Sequence, residues 1–317
     1  MTIPILNDSQ ILKNLSLQTN PHYDEYYAFY SSWFGGITTN PRMMLLPIDD
    51  HIVHRGDGVF EAMKTIGRSV YLLDEHLQRL FHSIERIALK SPLEFEEMKH
   101  VILQTLKVAN RSDVVIRIYL SRGPGNFSVN PYDSVGAQFY VVVTHLKSFP
   151  RDKYEKGVVI GKSSIPIKDP WMAQVKSCNY LPNVMMKKEA VDRNLDFVIG
   201  IDEKGFIAEG AVENIMIIDK HGIIVHPEFD FILKGTTMIR ACELAREHGL
   251  NTEVRSISLD DLLSAQEAMM CGTSLDVISV TQFEGININD GKPGPIVKKL
   301  QKFLFDDMKN GPRLTPY

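Results

Sequence analysis

The chain has 317 residues, of which 44% are hydrophobic and 23% charged, the balance of a globular protein with one large or two ordinary domains. Its net charge of −4 argues against a general nucleic-acid surface, which would carry a basic excess. The three cysteines lie far apart and indicate neither a disulfide framework nor a metal-binding pair. Residues 1–20 lack the features of a signal peptide, and no apolar run is long enough to span a membrane, so we predict a cytoplasmic protein.

One stretch of the chain is typical of a linker. Residues 147–153 are polar, contain a proline and follow the apolar segment 138–143. We therefore predict a smaller N-terminal domain over 1–146, a linker over 147–153 and a larger C-terminal domain over 154–317. Both domains mix short hairpin-like strands with helices, which predicts an α+β fold.

In the N-terminal domain the apolar pattern changes between the periods of strands and helices. Strands are predicted over 58–66, 69–72, 114–121 and 138–143. A helix is predicted over 73–90 with Asp74 as its N-cap, because Leu77, Leu80 and Ile84 recur at helical spacing.

The C-terminal domain shows the same alternation. Strands are predicted over 157–163, 197–202, 206–209, 214–218 and 223–226, and helices over 183–193, 236–248 and 296–309. The segment Ser258-Leu-Asp-Asp261 matches a capping box at the start of a further short helix.

Two glycine-containing loops in this domain suit a phosphate group. Leu233-Lys-Gly-Thr-Thr237 opens a predicted helix, where free amides, the helix dipole and two hydroxyls favour an anion. The alternative is that Thr236 or Thr237 is only an N-cap. Cys271-Gly-Thr-Ser274 is the second loop, and an ordinary turn would look the same. Neither loop matches a nucleotide P-loop.

His51 and His54, next to Asp49 and Asp50, form the only pattern typical of a metal site. No third group of ligands completes it, so we predict no metal and interpret both histidines as strand or loop residues near an active site.

Lys176 lies in a stretch with few charges, 174–182. A lysine that forms a Schiff base needs a neutral amine, which desolvation or nearby positive charge favours. The residues alone do not single it out among the lysines of the chain.

Read together, these segments resemble the fold-type IV family of pyridoxal-phosphate enzymes, the class IV aminotransferases. That family includes D-amino acid transaminases, branched-chain transaminases and aminodeoxychorismate lyases. The matching segments follow one another in the family's order: 54–61, 73–80, 176–183, 208–210 with Asn214, 232–237 and 272–274.

The resemblance implies a two-domain fold in which pyridoxal 5′-phosphate lies between a smaller N-terminal α/β domain and a larger C-terminal domain, and it implies a homodimer. It implies that Lys176 forms the Schiff base with the cofactor and then carries the proton between the substrate Cα and the cofactor. It implies that Glu209 binds the pyridine nitrogen, which makes the ring an electron sink.

The resemblance also assigns the remaining cofactor contacts. Arg79, Thr237 and Thr273 would bind the phosphate with Thr236 and Ser274 as helpers, and Tyr180 would bind the phenolic oxygen. Helical spacing places Arg79 opposite the apolar stripe of its helix, where a solvated arginine is the alternative.

The substrate side is less specific. We predict substrate contacts for Phe60, Arg117, Tyr119 and Arg122, with structural salt bridges as the alternative for the charged residues. The loop 121–128 lacks the Arg-x-His element by which bacterial D-amino acid transaminases bind the substrate carboxylate. We therefore predict an aminotransferase that exchanges an amino group between an amino acid, of D or branched-chain type, and a 2-oxo acid. Aminodeoxychorismate lyase and a non-catalytic cofactor-binding protein are the alternatives.

Overall fold

The structure is a computed structural model that describes residues 1–317. Its helices are α1 (Asp8–Leu17), α2 (His51–His54), α3 (Leu73–Arg86), α4 (Phe95–Ala109), α5 (Arg151–Lys156), α6 (Pro170–Ala173), α7 (Leu181–Asp192), α8 (Thr236–Glu247), α9 (Leu259–Leu263) and α10 (Pro295–Asn310). Its strands are β1 (Tyr26–Ser31), β2 (Gly36–Thr38), β3 (Gly58–Ile66), β4 (Ser69–Tyr71), β5 (Val114–Ser121), β6 (Gln138–His145), β7 (Val158–Lys162), β8 (Phe197–Ile201), β9 (Ile207–Gly210), β10 (Asn214–Ile218), β11 (Ile224–His226), β12 (Thr252–Val254), β13 (Glu267–Gly272), β14 (Asp276–Phe283), β15 (Ile286–Asn287) and β16 (Leu314–Pro316). These sheets and helices confirm the predicted α+β class.

The chain divides into two compact units. The first consists of Met1–Val70, Leu89–Leu146 and Pro316–Tyr317, and the second of Tyr71–Ala88 and Lys147–Thr315. Helix α3, which the predicted limits place in the N-terminal domain, thus groups with the second unit. The domain limits themselves stay a prediction.

The first unit is built on a sheet with the strand order β16-β4-β3-β5-β6-β1-β2. Its central strands β3, β5 and β6 are antiparallel. Helix α4 packs over β1 and β6, and its buried side chains Met98, Ile102 and Leu106 recur at helical spacing. On β5, Arg117 and Tyr119 alternate with buried neighbours and are only half-buried, as strand periodicity requires.

The second unit is built on a sheet with the order β12-β11-β10-β13-β14-β7-β8-β9, with β15 at the side of β14. Strand β9 also pairs with β10, so the strands from β10 round to β9 form a closed ring. The ring encloses an apolar core that includes Ile160, Ile199 and Ile217. Its closing pair sets Glu209 directly opposite Asn214. The sheet topology thus brings two polar residues of the site together.

Helix α3 keeps its predicted apolar stripe but differs at both ends. Leu77, Leu80 and Ile84 are fully or almost fully buried, as predicted. The predicted N-cap was wrong, because Leu72, in the left-handed conformation with φ 57°, caps the helix without any side-chain bond. The helix ends at Arg86 instead of residue 90, since Ala88 takes a φ of 48° that no helix can continue.

Two other local predictions can be compared with the structure. The capping box at Ser258 is confirmed: its hydroxyl accepts from the N–H of Asp261, whose carboxylate accepts from the N–H of Ser258. His51 and His54 lie on α2, so the prediction of a strand or loop was wrong. The Nδ1 atom of His51 lies 3.4 Å from a carboxylate oxygen of Asp57.

Candidate active site

One pocket of the second unit contains most of the predicted cofactor residues. Segments from α3, the approach to α7, β9, β10, the start of α8 and the end of β13 line it. The predicted residues that it brings together are Arg79, Lys176, Tyr180, Glu209, Thr236, Thr237 and Thr273. Ser274 follows directly but is exposed and does not line the pocket.

Lys176 is held at both its backbone and its amine. Its backbone N–H donates to the hydroxyl of Ser83 on α3 at 3.3 Å. Its Nζ atom lies 3.4 Å from the hydroxyl oxygen of Tyr180. The lysine therefore has a fixed main chain and an amine that faces a phenol.

A second lysine, Lys168, lines the same pocket. Its Nζ atom lies 4.9 Å from the ring centroid of Tyr180, and that of Lys176 lies 5.8 Å from the same centroid. Burial lowers the pKa of Lys168, while the negative charge of Glu209 opposes that shift. No sequence motif indicated Lys168, because it reaches the pocket only through the folded conformation of the segment that precedes α7.

Glu209 lies on β9 with its carboxylate facing several donors. Its Oε2 atom accepts a hydrogen bond from the backbone N–H of Leu233 at 3.0 Å and one from the Asn214 amide at 3.5 Å. Burial raises the pKa of Glu209, and the Leu233 N–H and the cations Lys168, Lys176 and Arg79 act against that shift. Its surroundings are suited to a carboxylate that meets a protonated nitrogen.

A second carboxyl group, that of Glu213, also lines the pocket. It is buried, and its Oε2 atom accepts from the N–H of Val212 at 3.1 Å. Burial raises the pKa of Glu213 to about 7. Sequence reasoning missed this residue, because a glutamate four positions after another carries no local signal of burial.

The start of α8 lines the pocket with Gly235, Thr236 and Thr237. The N-cap is Gly235, so the alternative that Thr236 or Thr237 only caps the helix was wrong. Both threonines are buried in the first turn, and the Thr236 hydroxyl lies 3.2 Å from Nε2 of His76 on α3. A helix start with free N–H groups and hydroxyls is a suitable site for an anion.

Gly235 has little space around it. A Cβ atom at this position would collide with the Oδ1 atom of Asn214. The same Asn214 amide donates to the carbonyl of Leu233 at 3.0 Å and to Glu209. The lack of a side chain at residue 235 therefore allows Asn214 to reach Glu209.

Arg79 lies at the pocket, not in bulk solvent. Its Nη1 atom donates to the backbone carbonyl of Lys234, just before α8, at 2.8 Å. The face of α3 opposite its apolar stripe thus borders the loop 233–235, which explains why a polar residue at that helical position can reach the site.

The four predicted substrate residues lie in the first unit. Phe60 and Tyr119 are cross-strand partners whose rings stack at 5.9 Å. Arg117 donates to the Thr144 hydroxyl at 2.9 Å. Arg122 binds both carboxylate oxygens of Asp57 at 2.9 Å, which is the predicted salt-bridge alternative. Their role toward a substrate stays a prediction.

Comparison with known proteins now decides the family. Residues 58–283 match the amino-transferase class IV family model. The chain belongs to this family. Membership makes it an enzyme, an aminotransferase that depends on pyridoxal phosphate, and sets aside the alternative of a non-catalytic binding protein.

Relatives of this class IV aminotransferase match most of its length. It is 36% identical to a D-amino-acid transaminase, chloroplastic, of Arabidopsis thaliana, over 99% of this chain and 86% of that protein. It is 32% identical to a putative branched-chain-amino-acid aminotransferase of Methanocaldococcus jannaschii, over 81% of this chain and 89% of that protein.

Solved structures of other aminotransferases share its fold. The branched-chain amino acid aminotransferase of Escherichia coli superposes with a TM-score of 0.86 at 23% identity, over 92% of this chain and 99% of that chain. A branched-chain amino acid aminotransferase solved with pyridoxamine 5′-phosphate superposes with a TM-score of 0.87, also at 23% identity and over the same shares of both chains. At this level of identity, both likenesses show a shared fold.

The pocket of this aminotransferase fits pyridoxal phosphate. An amine, a phenol, a half-buried carboxylate and a helix start with hydroxyls line one pocket, and these match the aldehyde, the phenolic oxygen, the ring nitrogen and the phosphate of the cofactor. One further observation supports the fit: the Oδ1 atom of the pocket residue Asn183 is buried without a hydrogen-bond partner in the protein. No helix of the structure combines the length and the apolar composition needed to cross a membrane.

Proposed function

We propose that this aminotransferase moves the amino group of a D-amino acid to a 2-oxo acid. The observation that carries the proposal is the 36% identity to a D-amino-acid transaminase along 99% of the chain. Transfer from branched-chain amino acids is the second candidate, favoured by the 32% identity to a putative branched-chain enzyme over 81% of the chain. Elimination of pyruvate from aminodeoxychorismate has less support, because these relatives are transaminases.

Lys176 would hold the cofactor through its amine. When bound, pyridoxal phosphate supplies an electron sink for the bond that breaks at the substrate Cα. Once the substrate amine has displaced it, the Nζ atom of Lys176 would take the proton from the substrate Cα and then deliver it to the cofactor. The Tyr180 hydroxyl, at 3.4 Å from Nζ, would orient this amine.

Glu209 would bind the ring nitrogen and keep it protonated. Its N–H donor Leu233 and the neighbouring cations favour the ionised carboxylate against the effect of burial. An ionised carboxylate beside a ring N–H stabilises the positive ring, which is the form that accepts electrons best.

The phosphate would lie at the start of α8. Arg79, Thr237 and Thr273 would bind it, with Thr236 beside them, because the pocket collects these residues at a helix N-terminus. Ser274 has less support as a helper, because its side chain is exposed.

We also propose a homodimer. Several large apolar side chains of α6, α7 and the turn after β9 are exposed, namely Trp171 at 49%, Leu181 at 71%, Val184 at 58% and Val212 at 59%. Leu181 and Val184 lie one turn apart on α7, and neighbouring exposed apolar groups favour a protein interface. Sedimentation equilibrium of the purified protein tests this proposal, and a monomer at micromolar concentration would contradict it. The cytoplasmic location stays a prediction.

The substrate class is tested with a panel of D- and L-amino acids, each supplied with pyruvate or 2-oxoglutarate. We expect D-alanine or D-glutamate to react at least about tenfold faster, in kcat/KM, than L-leucine, the scale on which a pocket discriminates substrates. A preference for L-leucine would replace the first candidate by the second.

A further inference from the structure

The start of α3 is fixed by the segment that follows α10. The backbone N–H of Leu72, which caps α3 without a side-chain bond, donates to the carbonyl of Arg313 at 3.0 Å. The Arg313 side chain binds Glu75 in the first turn of α3 at 2.6 Å. It also lies 2.9 Å from Glu243 of α8. One residue therefore joins α3 to α8.

Buried groups hold the α8 side of this connection. Arg240 binds both carboxylate oxygens of Asp307 on α10, at 3.0 and 2.7 Å, and binds Glu243 at 3.1 Å. The Tyr71 hydroxyl donates to the same Asp307 at 2.6 Å. Tyr71, Arg240 and Asp307 are at most 7% exposed. Arg240 thus holds the Glu243 side chain in place independently of Arg313. We name this group of residues the clasp: Tyr71, Glu75, Arg240, Glu243, Asp307 and Arg313.

Helix α3 carries contacts to several parts of the pocket. Arg79, one turn after Glu75, bonds to the Lys234 carbonyl. His76 approaches the hydroxyl of Thr236 in the first turn of α8, and Ser83 accepts from the backbone of Lys176. The distance between α3 and α8 therefore sets how Arg79 stands relative to the first turn of α8.

We propose that Arg313 is a positioning residue for the phosphate of the cofactor. Through Glu75 and Glu243 it holds α3 and α8 at the separation at which Arg79 and the first turn of α8 bind one phosphate group. Arg313 touches neither cofactor nor substrate in this role. The inference rests on the proposed phosphate site and assigns the control of its geometry to the C-terminal segment.

The test compares two ligands that differ only in the phosphate. Full-length protein freed of cofactor is titrated with pyridoxal phosphate and with pyridoxal, and binding is followed by tryptophan fluorescence. Arg313→Gln keeps the backbone carbonyl that Leu72 uses but removes the charge. We expect Kd for pyridoxal phosphate to rise about tenfold, because the loss of Arg313 weakens the charge-assisted bonds to the phosphate without removing them. Kd for pyridoxal should change less than about twofold.

Two further variants make the result specific. Glu75→Gln should match Arg313→Gln, and the double variant should lose no more than either single one, because both changes break the same connection. Arg246→Gln is the control: Arg246 lies in the last turn of α8 and bonds to Thr252, so both affinities should stay unchanged.

Equal losses for both ligands, or no loss for pyridoxal phosphate, would overturn the proposal. Arg79→Gln separates this failure from a failure of the proposed function. If Arg79→Gln raises Kd for pyridoxal phosphate relative to Kd for pyridoxal and Arg313→Gln does not, only the proposed role of Arg313 is refuted. If Arg79→Gln leaves the ratio of the two affinities unchanged, the phosphate site is misassigned and both proposals fall.

Discussion

The hydroxyl of Ser83 accepts a hydrogen bond from the backbone N–H of Lys176 at 3.3 Å. Ser83 is fully buried and lies one turn of α3 beyond Arg79. The same helix thus supports the lysine segment at one end of the pocket and borders the start of α8 at the other. A displacement of α3 would therefore disturb the Lys176 segment and the start of α8 together.

The first prediction concerns Lys176. Lys176→Ala should lower turnover by on the order of 10² to 10⁴ or more, because it removes the group that we propose carries the Cα proton. Borohydride reduction of the native protein with its cofactor, followed by peptide mass spectrometry, should place the label on Lys176. The matched variant Lys168→Met should keep the label. A label on Lys168 would show that the roles of the two pocket lysines are reversed.

The second prediction concerns the charge of Glu209. Glu209→Gln still accepts the N–H of Leu233 but cannot hold a protonated ring nitrogen. We expect kcat to fall by on the order of 10² or more, for a few kcal/mol of lost stabilisation in the transition state. Kd for the cofactor should change much less. An unchanged kcat would leave Glu209 as an ordinary strand-end acid.

The third prediction concerns Arg79. Arg79→Ala should weaken the binding of pyridoxal phosphate by ~1.5–3 kcal/mol, the scale of a charge-assisted hydrogen bond. Added cofactor should restore much of the activity, because the reacting groups remain. Arg86→Ala, on the same helix but outside the pocket, is the control and should leave Kd unchanged. The reverse result would move the phosphate role to Arg86.

The fourth prediction concerns pH. Burial raises the pKa of Glu213 from 4.5 to about 7, so the folded state holds this proton more tightly than the unfolded chain. The free energy of unfolding should therefore fall as pH rises from 4.5 to about 7, by up to about 3 kcal/mol from this group.

Glu213→Gln tests this dependence, because an amide keeps the acceptor for Val212 and cannot ionise. Urea unfolding at several pH values should show a gain in stability for the variant at pH 8 and little difference at pH 4.5. An equal difference at both pH values would mean that Glu213 does not ionise in this interval.

Apolar periodicity in the sequence predicted much of the fold, but it did not predict features that depend on contacts between residues far apart in the chain. Leu77, Leu80 and Ile84 gave α3 correctly, because a helix packed on one side leaves its period in the sequence. The start of α3 did not follow local rules. Leu72 caps it in a left-handed conformation, and its N–H finds the carbonyl of Arg313, near the other end of the chain.

The candidate site shows the same division. The sequence motifs predicted Lys176, Glu209 and Arg79, because each motif combines several residues at a set spacing. The structure places all three in one pocket. Lys168 and Glu213 escaped notice because what distinguishes them is burial beside opposite or like charge. That property arises only when β9, β10 and the approach to α7 meet.

The close contact between residue 235 and Asn214 limits how this enzyme can be redesigned. A mutant library that varies the pocket should return only glycine at position 235, because even alanine would displace the amide that reaches Glu209. Substitutions meant to enlarge or reshape the pocket are better placed on its other walls. Position 235 is thus a constraint for the engineer, although its residue has no side chain to change.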